Sequence, residues 1–254
     1  MPYLGEIHYR GSIQEDNIRD VLILVHGAGG SYLYWPPEIR HLQMGNILAV
    51  DLPGHGESAG DCKASIEANA LALLEFMDYL EIDRAVLGGH SMGGAIAQRM
   101  SLDYPERVVG LVLVGAGAKL RVHPRLIEDC SSPETYPQAV SQILGWSFSQ
   151  HADMKLVGLA GERMKDLSPN ILSADFGSCN AFDICDEVGE IKQPTLIICG
   201  EDDQMTPVRF SEFLANRISG SRLEVIPEAG HMVMLEKPEE AARLINEFVE
   251  ELAR

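Results

Sequence analysis

Val21-Leu22-Ile23-Leu24-Val25 is an unbroken apolar run, where a strand with one wet face would alternate apolar and polar side chains. Such a run needs cover on both faces. Residues 47–50, 85–87, 108–114, 195–199 and 223–226 repeat the pattern, with helical stretches between them. Leu71, Leu74, Met77 and Tyr79-Leu80 form a rough helical stripe within 64–80, and Leu244, Ile245, Phe248 and Leu252 form another near the C-terminus. Buried strands alternating with helices predict an α/β three-layer sandwich: a mainly parallel sheet, with right-handed crossovers laying helices on both faces. Residues 3–13 read as a short antiparallel hairpin at the edge of that sheet.

A chain of 254 residues can bury one large core that carries an insertion. The periodic pattern breaks between about Lys119 and Glu190, a stretch too long to be a connecting loop. The expected organisation is a core of residues 1–118 and 190–254 with a helical cap, 119–189, inserted between core strands. Ala152 to Lys165 reads as one of the cap helices. A cap there roofs the edge at which open α/β sheets bind ligands. Its Trp146 and Phe148, together with Met205 and Met232, are candidates to line an adaptable apolar pocket.

Thirty-eight acidic residues against twenty basic ones give a formal charge of -18, which repels phosphate backbones and anionic headgroups. Nucleic acid is therefore not expected as a partner. No apolar run approaches the roughly 18 residues that cross a bilayer, so no membrane insertion is expected. Met1 to Glu6 lacks a secretory pattern, which makes a cytoplasmic location the default. The five cysteines include no C-x-x-C pair, and Cys199 reads as a small buried hydrophobe.

Gly89-His90-Ser91-Met92-Gly93 joins the apolar run at 85–88 to a helical segment at 95–100. That puts a serine on a sharp strand-to-helix turn, where its hydroxyl can project as a nucleophile. Glycines at 89 and 93 remove side chains where the backbone reverses. A serine hydroxyl needs a base, and the base an orienting acid. His231 lies just beyond the last expected strand, in a loop at the same sheet edge as Ser91. Glu201, Asp202 and Asp203 follow the strand at 195–199 and compete for the acid's role, whereas Gly115-Ala116-Gly117-Ala118, after the preceding strand, has none. An oxyanion needs two fixed N–H donors. Met92 can offer one, and Ala28, in His26-Gly27-Ala28-Gly29-Gly30-Ser31, the other. That loop departs from G-x-G-x-x-G and lacks the Walker lysine, which argues against a nucleotide cofactor. Asp51 to Ser58 reads as a tight loop whose polar side chains hold its own backbone.

Taken in order, these motifs resemble the α/β-hydrolase superfamily, in its capped branch of serine esterases, lactonases and carbon-carbon bond hydrolases. The elbow is Gly89 to Gly94, the oxyanion loop His26 to Ser31, and the Asp-x-Pro-Gly-x-Gly-x-Ser turn Asp51 to Ser58. The family's G-x-x-D-x-x-x-P stretch falls on Gly200 to Pro207 and singles out Asp203; its Gly-His ending falls on Gly230-His231. The resemblance implies a triad of Ser91, Asp203 and His231, an oxyanion hole at Ala28 and Met92, and no metal or organic cofactor. The partner it implies is a small-molecule ester or related acyl substrate. Foremost among the implied activities is a carboxylesterase cleaving small or medium acyl esters through an acyl-enzyme. The alternatives are a carbon-carbon bond hydrolase or lactonase, and a ligand-binding sensor with a slow or vestigial triad.

Overall fold

The structure, a computed structural model, describes residues 3–4, 6–13, 21–43 and 45–253. Among them eight strands form one sheet: β1 (Tyr3–Leu4), β2 (Ile7–Ser12), β3 (Val21–Val25), β4 (Ile47–Asp51), β5 (Ala85–His90), β6 (Val108–Val114), β7 (Thr195–Gly200) and β8 (Ser221–Ile226). Their spatial order is β1-β2-β4-β3-β5-β6-β7-β8. Strands β3 to β8 are parallel to one another, while β1 and β2 pair antiparallel at one edge. The hairpin expected at 3–13 is therefore present in its two strands; Gly5 lies outside the described residues.

The unbroken apolar runs feed two cores at once, because successive strand residues point to opposite faces. Val21, Ile23 and Val25 of β3 join one cluster and Leu22 and Leu24 the other. Strand β6 divides the same way, Leu111 and Leu113 against Val112 and Val114. Each fully buried aliphatic side chain of this kind contributes about 1.5–3 kcal/mol. The second cluster packs under α1 (Pro37–Arg40), α9 (Val233–Glu236) and α10 (Pro238–Leu252). The first packs under α2 (Ile66–Tyr79), α3 (Met92–Asp103) and α8 (Val208–Arg217).

Two local expectations change. Helix α2 buries Ile66, Ala70, Leu73, Phe76 and Met77, whereas Leu71 and Tyr79 of the expected stripe stand 47% and 62% exposed. The segment has apolar residues on more than one face, and packing against α3 selects which is buried. Strand β8 is half-exposed along most of its length, because it closes the far edge of the sheet with only β7 beside it.

Four helices fill the interval between β6 and β7: α4 (Pro124–Ser131), α5 (Tyr136–Ser147), α6 (Met154–Lys165) and α7 (Pro169–Ala181). They form an inserted cap with an apolar cluster of its own, including Leu126, Val140, Ile143, Leu172 and Phe176. No helix among the described residues is long and apolar enough to cross a membrane.

Strand order positions the site. The connection after β3 runs to β4 on one side and the connection after β5 runs to β6 on the other, which opens a crevice at the carboxyl ends of β3 and β5. Val25 of β3 pairs with Gly89 of β5, and His90 pairs with Val114 of β6. Val114 pairs with Ile198 of β7, and Gly200 with Ile226 of β8. The loops after β3, β5, β7 and β8 therefore leave the sheet from one rim.

Candidate active site

Strand β5 ends at His90 and α3 begins at Met92, so Ser91 alone makes the turn, at φ 52° and ψ -112°. A residue with a side chain held there costs about 1–3 kcal/mol. The Ser91 N–H donates to the Val114 carbonyl at 2.9 Å, and the Ala95 N–H donates back to the Ser91 carbonyl at 3.1 Å. A methyl group on Gly89 would overlap the Gly93 backbone, and one on Gly93 would overlap the carbonyl oxygens of Val25 and His26. Glycine at both positions lets the helix start against the loop after β3.

His231 and Asp203 are each only 4% exposed, and His231 Nδ1 lies 2.8 Å from Asp203 Oδ2. Asp203 Oδ1 accepts the N–H groups of Met205 and Thr206, both at 2.8 Å. The Thr206 hydroxyl lies 2.8 Å from Asp203 Oδ2, 2.9 Å from the Gly115 carbonyl and 3.2 Å from His231 Nδ1. Burial alone would raise the Asp203 pKa, but His231 and the Thr206 hydrogen bonds outweigh it and hold the carboxyl below its ordinary value. The neighbouring acids are engaged elsewhere: Asp202 Oδ2 accepts from the Ser149 hydroxyl at 2.6 Å, and Glu201 is exposed. Glu236 fixes the histidine loop, accepting the N–H groups of Gly230 at 2.9 Å and Ser149 at 3.0 Å. Beneath lies His90, whose Nε2 is 3.1 Å from the His231 carbonyl. Burial, with His231 beside it, pushes His90 down to about 3, so it is a neutral donor to that carbonyl.

The loop after β3 is held from below and above. Burial, then the proximity of His55, push the His26 pKa well down. The neutral ring donates from Nδ1 to the Gly27 carbonyl at 2.8 Å and accepts the Leu52 N–H on Nε2 at 3.0 Å. From the cap, Asp175 of α7 reaches down: its Oδ2 accepts the Gly29 N–H at 2.7 Å and lies 2.8 Å from His55 Nε2. Burial pulls the His55 pKa down, but the hydrogen bonds with Asp175 and Cys62 outweigh it and push it up to about 10. Ala28 sits in this loop, while Met92 opens α3, where helical N–H groups have no intrahelical acceptor. Asp51 and Ser58 hold their own turn: Asp51 accepts the N–H groups of Tyr32 and Glu57, and the Ser58 hydroxyl donates to the Asp51 carbonyl.

Asp175 and His55 form a buried ion pair across the cap-core junction, and removing one partner of such a pair strands the other. Asp175→Ala is expected to cost about 3–5 kcal/mol in urea unfolding. The folded His55 pKa lies above its ordinary 6.5, so the pair's contribution is complete below pH 6.5 and fades as pH rises through about 10. Wild type should accordingly lose its margin over Asp175→Ala toward pH 10; a margin constant across that range would show that the pair does not stabilise the junction.

Two small cavities flank Ser91, each of about 40 Å³. Ser91, His231, Ala28, Met205 and Met232 line one of them together with Tyr34, Phe176 and other residues. Ser91, Met205, Thr206, Arg121 and Phe210 are among the walls of the second. Trp146 and Phe148 are placed differently from Met205 and Met232. Helix α5 meets the first cavity through Ile143 and Ser147, one turn apart. Trp146 packs on the cap's own cluster, and Phe148, just past the helix end, is buried in the cluster on the sheet. Thr206, Tyr34 and Asp175 were not singled out from sequence. Thr206 carried one local signal, a hydroxyl just before Pro207, which caps the start of α8 at Val208; Asp175 carried none, because its partners are 120 and 146 residues away.

The profile of the alpha/beta hydrolase family matches residues 22–244. A 2-hydroxy-6-oxo-6-phenylhexa-2,4-dienoate hydrolase from Comamonas testosteroni is 30% identical over 266 residues, covering 96% of this chain and 91% of the relative. Among solved structures, a thermophilic esterase superposes with a TM-score of 0.82 at 30% identity, covering 97% of this chain and 98% of that one. Est816, described as an N-acyl homoserine lactone degrading enzyme, superposes with a TM-score of 0.80 at 26% identity, covering 95% of this chain and 96% of that one. With the matched profile spanning nearly the whole chain, including the elbow and both rim loops, the protein belongs to the alpha/beta hydrolase family.

Proposed function

We propose that this protein is a serine carboxylesterase that cleaves small acyl esters through an acyl-enzyme. One observation carries the reading: the buried Asp203–His231 pair, 2.8 Å apart, and the strained Ser91 belong to one site, with Ser91 and His231 lining the same cavity. In this reading His231 donates a hydrogen bond from Nδ1–H to the Asp203 carboxylate, which leaves Nε2 free to take the proton of Ser91. The Ser91 oxygen attacks the ester carbonyl, and the N–H groups of Ala28 and Met92 hold the oxyanion. His231 then returns the proton to the leaving alcohol. Water repeats the sequence on the acyl-enzyme, releasing the acid and restoring Ser91. Asp203 stays ionised throughout, consistent with its depressed pKa.

Cavity size supports small acyl groups. A water-sized group needs roughly 10–15 Å³ of such space, so about 40 Å³ accepts a chain of about three carbons on either side of Ser91. The p-nitrophenyl acetate and butyrate esters should be turned over repeatedly, with kcat/KM falling about tenfold or more from butyrate to octanoate. Equal rates for octanoate would refute the size argument, and a single burst without turnover would favour a ligand sensor over an esterase. The same attack opens a lactone, so γ- and δ-lactones belong in the panel. The lactone-degrading activity named for one structural relative supports including them.

A further inference from the structure

The second cavity beside Ser91 has Arg121 and Phe210 among its walls, and these two residues also wall a larger cavity of about 390 Å³ that opens outward. Lys119, Arg209 and Phe213 add to the charged and aromatic lining of that outer space, and among the described residues no carboxylate is one of its walls. Lys119 pairs with Asp183. Arg209 lies over the Phe210 ring, 5.2 Å from its centroid, and Arg121 is exposed; among the described residues neither guanidinium meets a carboxylate. In a chain with 38 acidic and 20 basic residues, two uncommitted arginines at an apolar mouth stand against the overall charge.

We propose that Arg121, assisted by Arg209, is a subsite for a carboxylate carried by the substrate, which makes the preferred substrates half-esters of short dicarboxylic acids. The inference rests on the serine-hydrolase reading of the site. A guanidinium pairs with a carboxylate through two parallel hydrogen bonds, and an apolar, aromatic wall strengthens that pairing by excluding water. A cationic mouth on an acidic protein also focuses anions toward the opening. The reaction is ordinary hydrolysis: water adds across the ester bond, and the products are the alcohol and the dicarboxylate. Arg121 lies at the junction of the two cavities, so the carboxylate reaches it while the ester carbonyl stays at Ser91.

The test compares monomethyl and dimethyl esters of succinate, glutarate and adipate. Wild type should show a higher kcat/KM for at least one monoanionic ester than for its neutral partner, and high salt should erode the difference. Arg121→Glu should lower the anionic-to-neutral ratio by about tenfold or more, with Arg209→Gln lowering it less. A binding arm is independent of turnover: Ser91→Ala protein titrated calorimetrically should bind the monoanionic ester more tightly than the diester, and adding Arg121→Glu should remove the preference. If wild type hydrolyses both classes equally and Ser91→Ala binds them equally, the subsite is refuted while the esterase reading stands. If no ester is turned over, the esterase reading fails and the titration alone decides the subsite, with equal or undetectable binding overturning it.

Discussion

Ser91→Ala is expected to lower kcat for p-nitrophenyl butyrate by roughly five to six orders of magnitude, the loss seen when a serine nucleophile is removed from a working triad. The substitution removes one oxygen and leaves a methyl group in the same turn, so φ 52° is no easier to hold and the melting temperature should stay within a degree or two of wild type. Fluorophosphonate labelling should disappear with the activity. Ser91→Gly separates chemistry from strain. It should be equally inactive, yet more stable by about 1 kcal/mol, since relief of about 1–3 kcal/mol of backbone strain exceeds the roughly 0.5–1 kcal/mol entropic cost of glycine. Ester turnover retained in the alanine variant would rule out Ser91 as the nucleophile.

Asp203→Asn should lower kcat by about four orders of magnitude with little change in fold. The reason is the proton on His231. Asp203 Oδ1 faces two backbone N–H donors, so the asparagine amide nitrogen is repelled from that position and must take the place of Oδ2. There it meets His231 Nδ1 and the Thr206 hydroxyl. The hydroxyl can turn its proton to the Gly115 carbonyl, 2.9 Å away, and accept from the amide. The imidazole has no such freedom: it must accept on Nδ1, which leaves the proton on Nε2, where Ser91's base should be empty.

The same carboxylate links stability to acid pH. Its folded pKa lies below the ordinary 3.8, so it stabilises the fold above about pH 4, and that contribution is lost as pH falls through the folded value. Measured by urea unfolding, the stability advantage of wild type over Asp203→Asn should be flat from pH 5 to 8 and shrink below pH 4. An advantage that grows on acidification has the wrong sign for this account.

Much of the architecture is legible along the chain because its signals are local. An apolar run with no polar alternation states that a strand has two covered faces, and the β3 and β6 side chains divide between two cores accordingly. Glycines at 89 and 93 mark a reversal too tight for side chains, and the backbone there is as crowded as the motif demands. Where the local signal is ambiguous, the reading shifts, as on α2, whose buried face was set by α3. The cap was legible as a region and, within it, as the helix expected at 152–165, which is α6 at Met154–Lys165. Helices with short apolar stripes do not announce which residue faces inward, so Trp146 and Phe148 were candidates for a wall that Ile143 and Ser147 supply.

Sequence alone therefore determined the α/β layering, the serine on its turn, and the order in which an acid loop and a histidine loop return to the rim. Spacing alone left Asp202 and Asp203 equal and the family resemblance singled out Asp203; tertiary structure supplies the physical difference, since Asp203 meets His231 while Asp202 meets Ser149. It also decided that Asp175, 146 residues from Gly29, would hold the loop containing Ala28. The physical reason is reach. Apolar periodicity and turn chemistry act over a few residues, whereas a hydrogen bond between distant segments exists only after strand register and cap packing have brought its two atoms within about 3 Å.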